Sequence, residues 1–147
     1  MRNPTRTLLA SLVAISIGFG AAHAQTALSG SGLGQSWPNA ADVSTNPNYH
    51  VYVFERSGTR YIQVNDANGV VRGAFARTPY KLMGLPIGTD TLATPDEPLP
   101  APASTVVESV YDDGTVQVFV APQPDGTARL MLVPADCKNN PVECTGR

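Results

Sequence analysis

The ordered part of the chain announces itself at Tyr49. From there to Glu55 the residues are β-branched or aromatic, and Arg60 to Asn65 alternates between apolar and polar positions. Val70 to Ala76 repeats the alternation. Two turn signals punctuate these runs, Ser57-Gly58 and Asn68-Gly69, the second being the strongest short hairpin signal. The pattern predicts a three-stranded antiparallel meander. With Ser57-Gly58 as the loop, Glu55 faces Arg60, Val53 faces Ile62 and Val51 faces Val64. With Asn68-Gly69 as the loop, Ile62 faces Phe75 and Val64 faces Gly73. Both turns then place Val51, Val53, Ile62, Val64, Val71 and Phe75 on one core face. The other face carries His50, Tyr52, Phe54, Tyr61, Gln63, Asn65, Arg72, Ala74 and Ala76.

Downstream the pattern weakens and returns. Tyr80 to Ile87 reads as an irregular fourth strand, interrupted by Gly84 and Pro86. Residues 94–103 hold four prolines and read as an extended, solvated connector. A second three-stranded meander follows: Thr105 to Tyr111, Thr115 to Ala121 and Thr127 to Val133, turned at Asp113-Gly114 and Asp125-Gly126. That register sets Val107 opposite Val120 and Val120 opposite Met131. Ser109 lies opposite Val118 and Val118 opposite Val133. Phe119, Leu130 and Leu132 fall on the reverse face. Both faces are apolar, so the second unit is expected to lie between two layers or to close into a small barrel. The fold expectation is all-β: two three-stranded antiparallel meanders, residues 49–136, packed as a small sandwich or open barrel. Ser57-Gly58-Thr59 and Asp113-Gly114-Thr115 recur 56 residues apart, a similarity that limited turn chemistry explains without duplication.

The N-terminus carries a different pattern. Arg2 and Arg6 precede an apolar run from Leu8 to Ala22, and Ala22-His23-Ala24 fits a small-x-small cleavage site. Residues 1–24 therefore read as a secretory signal peptide, with the mature start at Gln25. Residues 25–48 are rich in Gly, Ser, Ala, Asn and Pro and read as a flexible leader. Trp37 stands out there, as a residue that docks back on the core or marks a contact site. Export shapes the remaining readings. Of 147 residues, 123 remain, one domain's worth of chain. Losing Arg2 and Arg6 leaves eight basic residues against twelve acidic ones. That mild acidity, without a run of Lys or Arg, argues against nucleic acid or an anionic membrane as the main partner. No membrane span is expected after cleavage. In an oxidising compartment Cys137 and Cys144 form an even, close pair, expected as a disulfide closing a tail over 137–147.

The catalogue of chemistry is short. His50 is the single histidine left in the mature chain and sits mid-strand. Asp112, Asp113 and Asp125 lie at hairpin turns, where turn geometry explains them. Asn65 to Val70 only begins to look like a calcium loop. No phosphate loop, dinucleotide fingerprint or His-Glu-x-x-His motif is present. No cofactor, metal or catalytic residue is expected. The candidate binding surface is the aromatic and polar patch of His50, Tyr52, Phe54, Tyr61 and Gln63, unless the leader, Trp37 or the second sheet covers it. The functional expectation is an exported, non-catalytic binding or interaction module, its partner an envelope protein or a glycan. The alternatives are a small exported hydrolase using His50, Asp112 or Asp113, and a passive component of the cell envelope.

Overall fold

The computed structural model describes residues 32–147. The signal peptide expected over 1–24 lies outside the described residues. Eight strands follow in order: β1 (Tyr49–Arg56), β2 (Thr59–Asp66), β3 (Val71–Arg77), β4 (Leu82–Gly84), β5 (Thr91–Ala93), β6 (Glu108–Asp112), β7 (Val116–Pro122) and β8 (Ala128–Pro134). A 3-10 turn, Ala135–Cys137, and a one-turn helix α1, Pro141–Cys144, complete the chain. The expected pair of three-stranded meanders is corrected: the strands form two sheets of four, β1-β2-β3-β4 and β5-β8-β7-β6, and neither closes into a barrel. Of the two added strands, β4 falls inside the irregular strand expected over Tyr80 to Ile87, and β5 is three residues, too short to show an alternation. β5 pairs in parallel with β8, a partner far along the chain that no local pattern announces.

The first sheet follows its turns closely. Val51 opposes Val64, Val53 opposes Ile62, and Ile62 opposes Phe75. Ser57 and Gly58 both have positive φ, 50° and 78°, the backbone that a two-residue hairpin loop requires. The next loop is one residue longer than expected. Asp66 N–H donates to Val70 C=O, and Gly69 turns at φ 81°. The register shifts between Val64 and Asn65, leaving Arg72 as the extra residue and restoring Val64 opposite Gly73. Val71 consequently pairs with Asn65 and is only half-buried.

The second sheet departs from its expected register. Val118 opposes Leu132 and Val120 opposes Leu130, one residue away from Val133 and Met131. Gln123 N–H donates to Thr127 C=O, and Gly126 turns at φ 84°, so this loop holds three residues rather than two. One residue of slip exchanges the faces. Leu130 and Leu132 point into the inter-sheet core and Met131 and Val133 away from it. In β6 an irregularity at Val110 puts Ser109 opposite Phe119 and Tyr111 opposite Val118.

The core between the sheets joins Val51, Ile62, Val64 and Phe75 to Val110, Val116, Val118, Val120, Leu130 and Leu132, all buried. Leu92 of β5 packs against this cluster where a Cβ on Gly73 would stand 2.5 Å from its Cδ2. Gly73 thus makes room for the fourth strand of the other sheet. The second sheet's outer face is apolar as expected, and a second cluster covers it. Phe119, Ala121, Met131 and Val133 pack there against Leu99, Val107, Cys137, Val142 and Cys144. Cys137 and Cys144 are disulfide-bonded, with Cα atoms 6.2 Å apart. Leu99 N–H donates to Thr145 C=O, so part of the expected solvated connector is pinned to the tail.

Candidate functional site

The candidate patch on the first sheet lies beneath another part of the chain. Across β1 and β2 its rows are His50–Asn65, Tyr52–Gln63 and Phe54–Tyr61. Tyr52, Gln63 and Asn65 are buried, and His50, Phe54 and Tyr61 are half-buried. The cover is residues 32–43, which follow a defined path instead of behaving as a loose leader. Gly34 N–H donates to Gln63 Oε1 at 2.6 Å. Gln63 Nε2 donates to Gln35 C=O and to Asn65 Oδ1, both at 2.8 Å. Asn65 Nδ2 donates to Ser36 C=O at 2.6 Å. Two buried amides therefore read the backbone of residues 34–36. Leu33, beside this backbone, is buried, 2% exposed.

Trp37 meets this surface edge-on. Its ring lies 5.2 Å from His50, and a Cβ on Gly69 would stand 2.5 Å from its Cε2. Only a glycine at the hairpin lets the indole settle there, yet Trp37 stays 60% exposed. Asp42 accepts from His50 Nδ1 at 2.7 Å and from the N–H groups of Val51 and Ser44 at 2.9 Å. Burial pushes the Asp42 carboxyl up, and the bonds from His50, Val51 and Ser44 outweigh it, holding the group below its ordinary value. Segment 43–46 then crosses to the other sheet. Val43 N–H donates to Val51 C=O, and Thr45 N–H to Val110 C=O, the carbonyl freed by the irregularity in β6.

At the turn end of both sheets an open cleft of about 950 Å³ remains. The β1–β2 turn, the Thr78–Lys81 turn, the segment at Pro95 and Asp96, and the ends of β7 and β8 enclose it. Arg56, Arg60, Arg77 and Lys81 line it together. Four of the eight basic residues after Ala24 meet here, although no run of Lys or Arg shows along the chain. Two of the four are committed. Arg60 donates Nε and Nη2 to Glu55 at 2.8 and 2.6 Å, and Nη1 to Asp113 Oδ2 at 2.7 Å. Arg77 lies 3.5 Å from the same Asp113 oxygen. The other Asp113 oxygen accepts from the Thr115 hydroxyl at 2.6 Å and from the N–H groups of Thr115 and Val116. Burial opposes ionisation of Asp113, but these donors and Arg60 hold its carboxyl far below the ordinary range. Asp113 is a clamp between the sheets. Asp112 is likewise occupied, accepting from Gly114 N–H and Gln117 Nε2.

Arg56 and Lys81 have no ion-pair partner among the described residues. Between Thr78 and Lys81 the chain closes a tight turn, Thr78 N–H to Lys81 C=O at 3.0 Å. That turn presents Tyr80 with 94% of its surface exposed. The outward edge of β4 beside it is largely taken. Leu82 N–H donates to Asp96 Oδ2 at 2.8 Å, and Gly84 N–H to Glu97 Oε2 at 2.7 Å. Thr94 Oγ1 donates to Leu82 C=O at 2.9 Å. None of Arg56, Arg77, Tyr80 and Lys81 stands out as a site residue in the one-dimensional pattern. The signal for Tyr80 was an aromatic side chain in Thr78-Pro79-Tyr80-Lys81, a turn with no apolar periodicity to bury it.

Among the described residues no helix is long and apolar enough to cross a membrane. No protein-family model, curated protein or solved structure matches this chain.

Proposed function

We propose that this protein is an exported, non-catalytic binding module whose ligand-contacting surface is the cleft at the turn end of the two sheets. One observation carries the reading: Arg56 and Lys81, without ion-pair partners among the described residues, share a cleft with an almost fully exposed Tyr80. An aromatic ring held in water at a turn tip contributes nothing to the core, whereas rings of this kind are favoured contact groups at interfaces. Export rests on the pattern of residues 1–24, and the Cys137–Cys144 disulfide suits an oxidising compartment. The test is binding of the exported, purified chain to arrays of saccharides and peptides, beside a variant carrying Arg56→Ala, Tyr80→Ala and Lys81→Ala. The expected result is specific retention by the parent and its loss in the variant, with thermal unfolding unchanged. Equal retention by both proteins would place the binding surface elsewhere.

A second reading, a small exported hydrolase, has one observation in its favour. Asp42 holds His50 Nδ1 at 2.7 Å, an arrangement that orients an imidazole for proton transfer. A hydrolase substrate screen in which His50→Ala abolishes turnover would support it, and a screen without turnover removes it.

A further inference from the structure

We infer that the cleft takes an acidic saccharide, a run of sugar rings bearing carboxylates; this rests on the reading that the cleft is the ligand surface. Charge comes first. Glu55 and Asp113 offset Arg60 and Arg77, and Asp96, which accepts from Leu82 N–H and keeps its charge, offsets one further cation. Four cations face three carboxylates there, one positive charge remains in excess, and Arg56 and Lys81 hold no ion pair among the described residues, so the cleft favours an anion. Two cationic side chains without ion pairs among the described residues suit carboxylates repeated along a chain better than one compact group.

Tyr80 supplies the second requirement. Its exposed ring offers a flat, weakly apolar face with a polar rim, the surface against which the C–H face of a pyranose packs while its hydroxyls stay hydrated. Pro79 and Pro95 line the same cleft and add rigid apolar surface beside the ring. The third argument distinguishes a sugar from a peptide. Extended peptides commonly bind by adding a strand to an open sheet edge. The nearest edge, β4, has Leu82 N–H, Leu82 C=O and Gly84 N–H already satisfied by Asp96, Thr94 and Glu97. Strand addition is blocked at β4, so a ligand seated there is held by side chains, through ring stacking and charge.

The deciding experiment titrates the exported chain with tetragalacturonate, with its methyl ester and with hexaglutamate, following backbone resonances at low and physiological salt. Tetragalacturonate is expected to shift the signals of Arg56, Tyr80 and Lys81 and to bind more weakly as salt rises. Tyr80→Ala, and separately the pair Arg56→Ala with Lys81→Ala, are each expected to weaken it about tenfold. Because all three side chains are exposed, the variants should unfold at the parental temperature. Equal binding of the methyl ester would overturn the requirement for acid groups. Shifts at the cleft with hexaglutamate but not with tetragalacturonate would overturn the saccharide and leave the cleft as a ligand surface. Absence of cleft shifts with all three probes would overturn both the saccharide and the cleft.

Discussion

The two sheets each have an outer face to cover, and the chain covers them by opposite means. On the first sheet, residues 32–43 lie over a surface whose centre is polar, and the attachment is directional: Gln63 and Asn65 bond to the backbone of residues 34–36. On the second, the C-terminal tail lies over Phe119, Ala121, Met131 and Val133, and the attachment is apolar burial closed by a disulfide. A directional cover fixes one register, because any shift strands buried amide groups. An apolar cover tolerates small shifts, and the disulfide restricts them by limiting the conformations of the tail. Among the described residues no buried side-chain polar atom lacks a partner, so the first arrangement is complete.

The largest expected effect lies on the apolar side. Met131→Ala removes a fully buried side chain beneath the tail and should cost about 3 kcal/mol in denaturant unfolding. A loss under about 1 kcal/mol would mean that the tail contributes little to that cluster. On the polar side, Gln63→Leu keeps the volume but strands Gly34 N–H and Gln35 C=O, for a loss of about 2–3 kcal/mol. Hydrogen exchange should then show residues 32–43 opening while the β1–β3 amides stay protected. Uniform loss of protection would erase the distinction between cover and sheet. Replacing both Cys137 and Cys144 by Ser should cost about 2 kcal/mol, since the closed loop is short, and should leave residues 32–43 unaffected.

Acid sharpens the comparison at the clamp between the sheets. The folded pKa of Asp113 lies below its ordinary value of 3.8. Its contribution is therefore fully present above that value and is lost as pH falls below it. Asp113→Asn should be less stable than the parent at pH 7 by about 2 kcal/mol, and the gap should narrow as pH is lowered toward 2. A gap independent of pH would show that the carboxylate charge is not what binds Arg60. The smallest effect belongs to Trp37→Ala, under about 1 kcal/mol because the ring stays largely in water. A larger loss would make Trp37, rather than Leu33 and the amides, the anchor of the N-terminal cover.

The candidate patch was half legible. Alternation placed His50, Tyr52, Phe54, Tyr61 and Gln63 on one face, and they share it. The leader, Trp37 and the second sheet were all open as covers, and the choice among them was not legible, because residues 32–43 carry no periodicity and are held largely through their backbone groups. The cleft was invisible for a related reason. Arg56, Arg60, Arg77 and Lys81 gather at one end of the first sheet, but the facing wall of Thr115, Val116 and Pro134 comes from the other sheet, and the cleft exists only once the two sheets stack.

What the sequence determined by itself was local. A two-residue loop with positive φ at Ser57 and Gly58 pairs its flanks in one way, so β1 and β2 follow from their turn. Cys137 and Cys144, seven residues apart across an Asn-Asn-Pro turn, followed equally well. The tertiary structure decided what depends on distant partners. It joined β5 to β8 in parallel and limited the irregular fourth strand expected over Tyr80 to Ile87 to the three residues of β4. It also chose a three-residue loop before β8, which turned Leu130 and Leu132 inward. Two- and three-residue loops differ little in local free energy. Burial of a whole apolar face settles the choice, and that burial exists only once the facing sheet is in place.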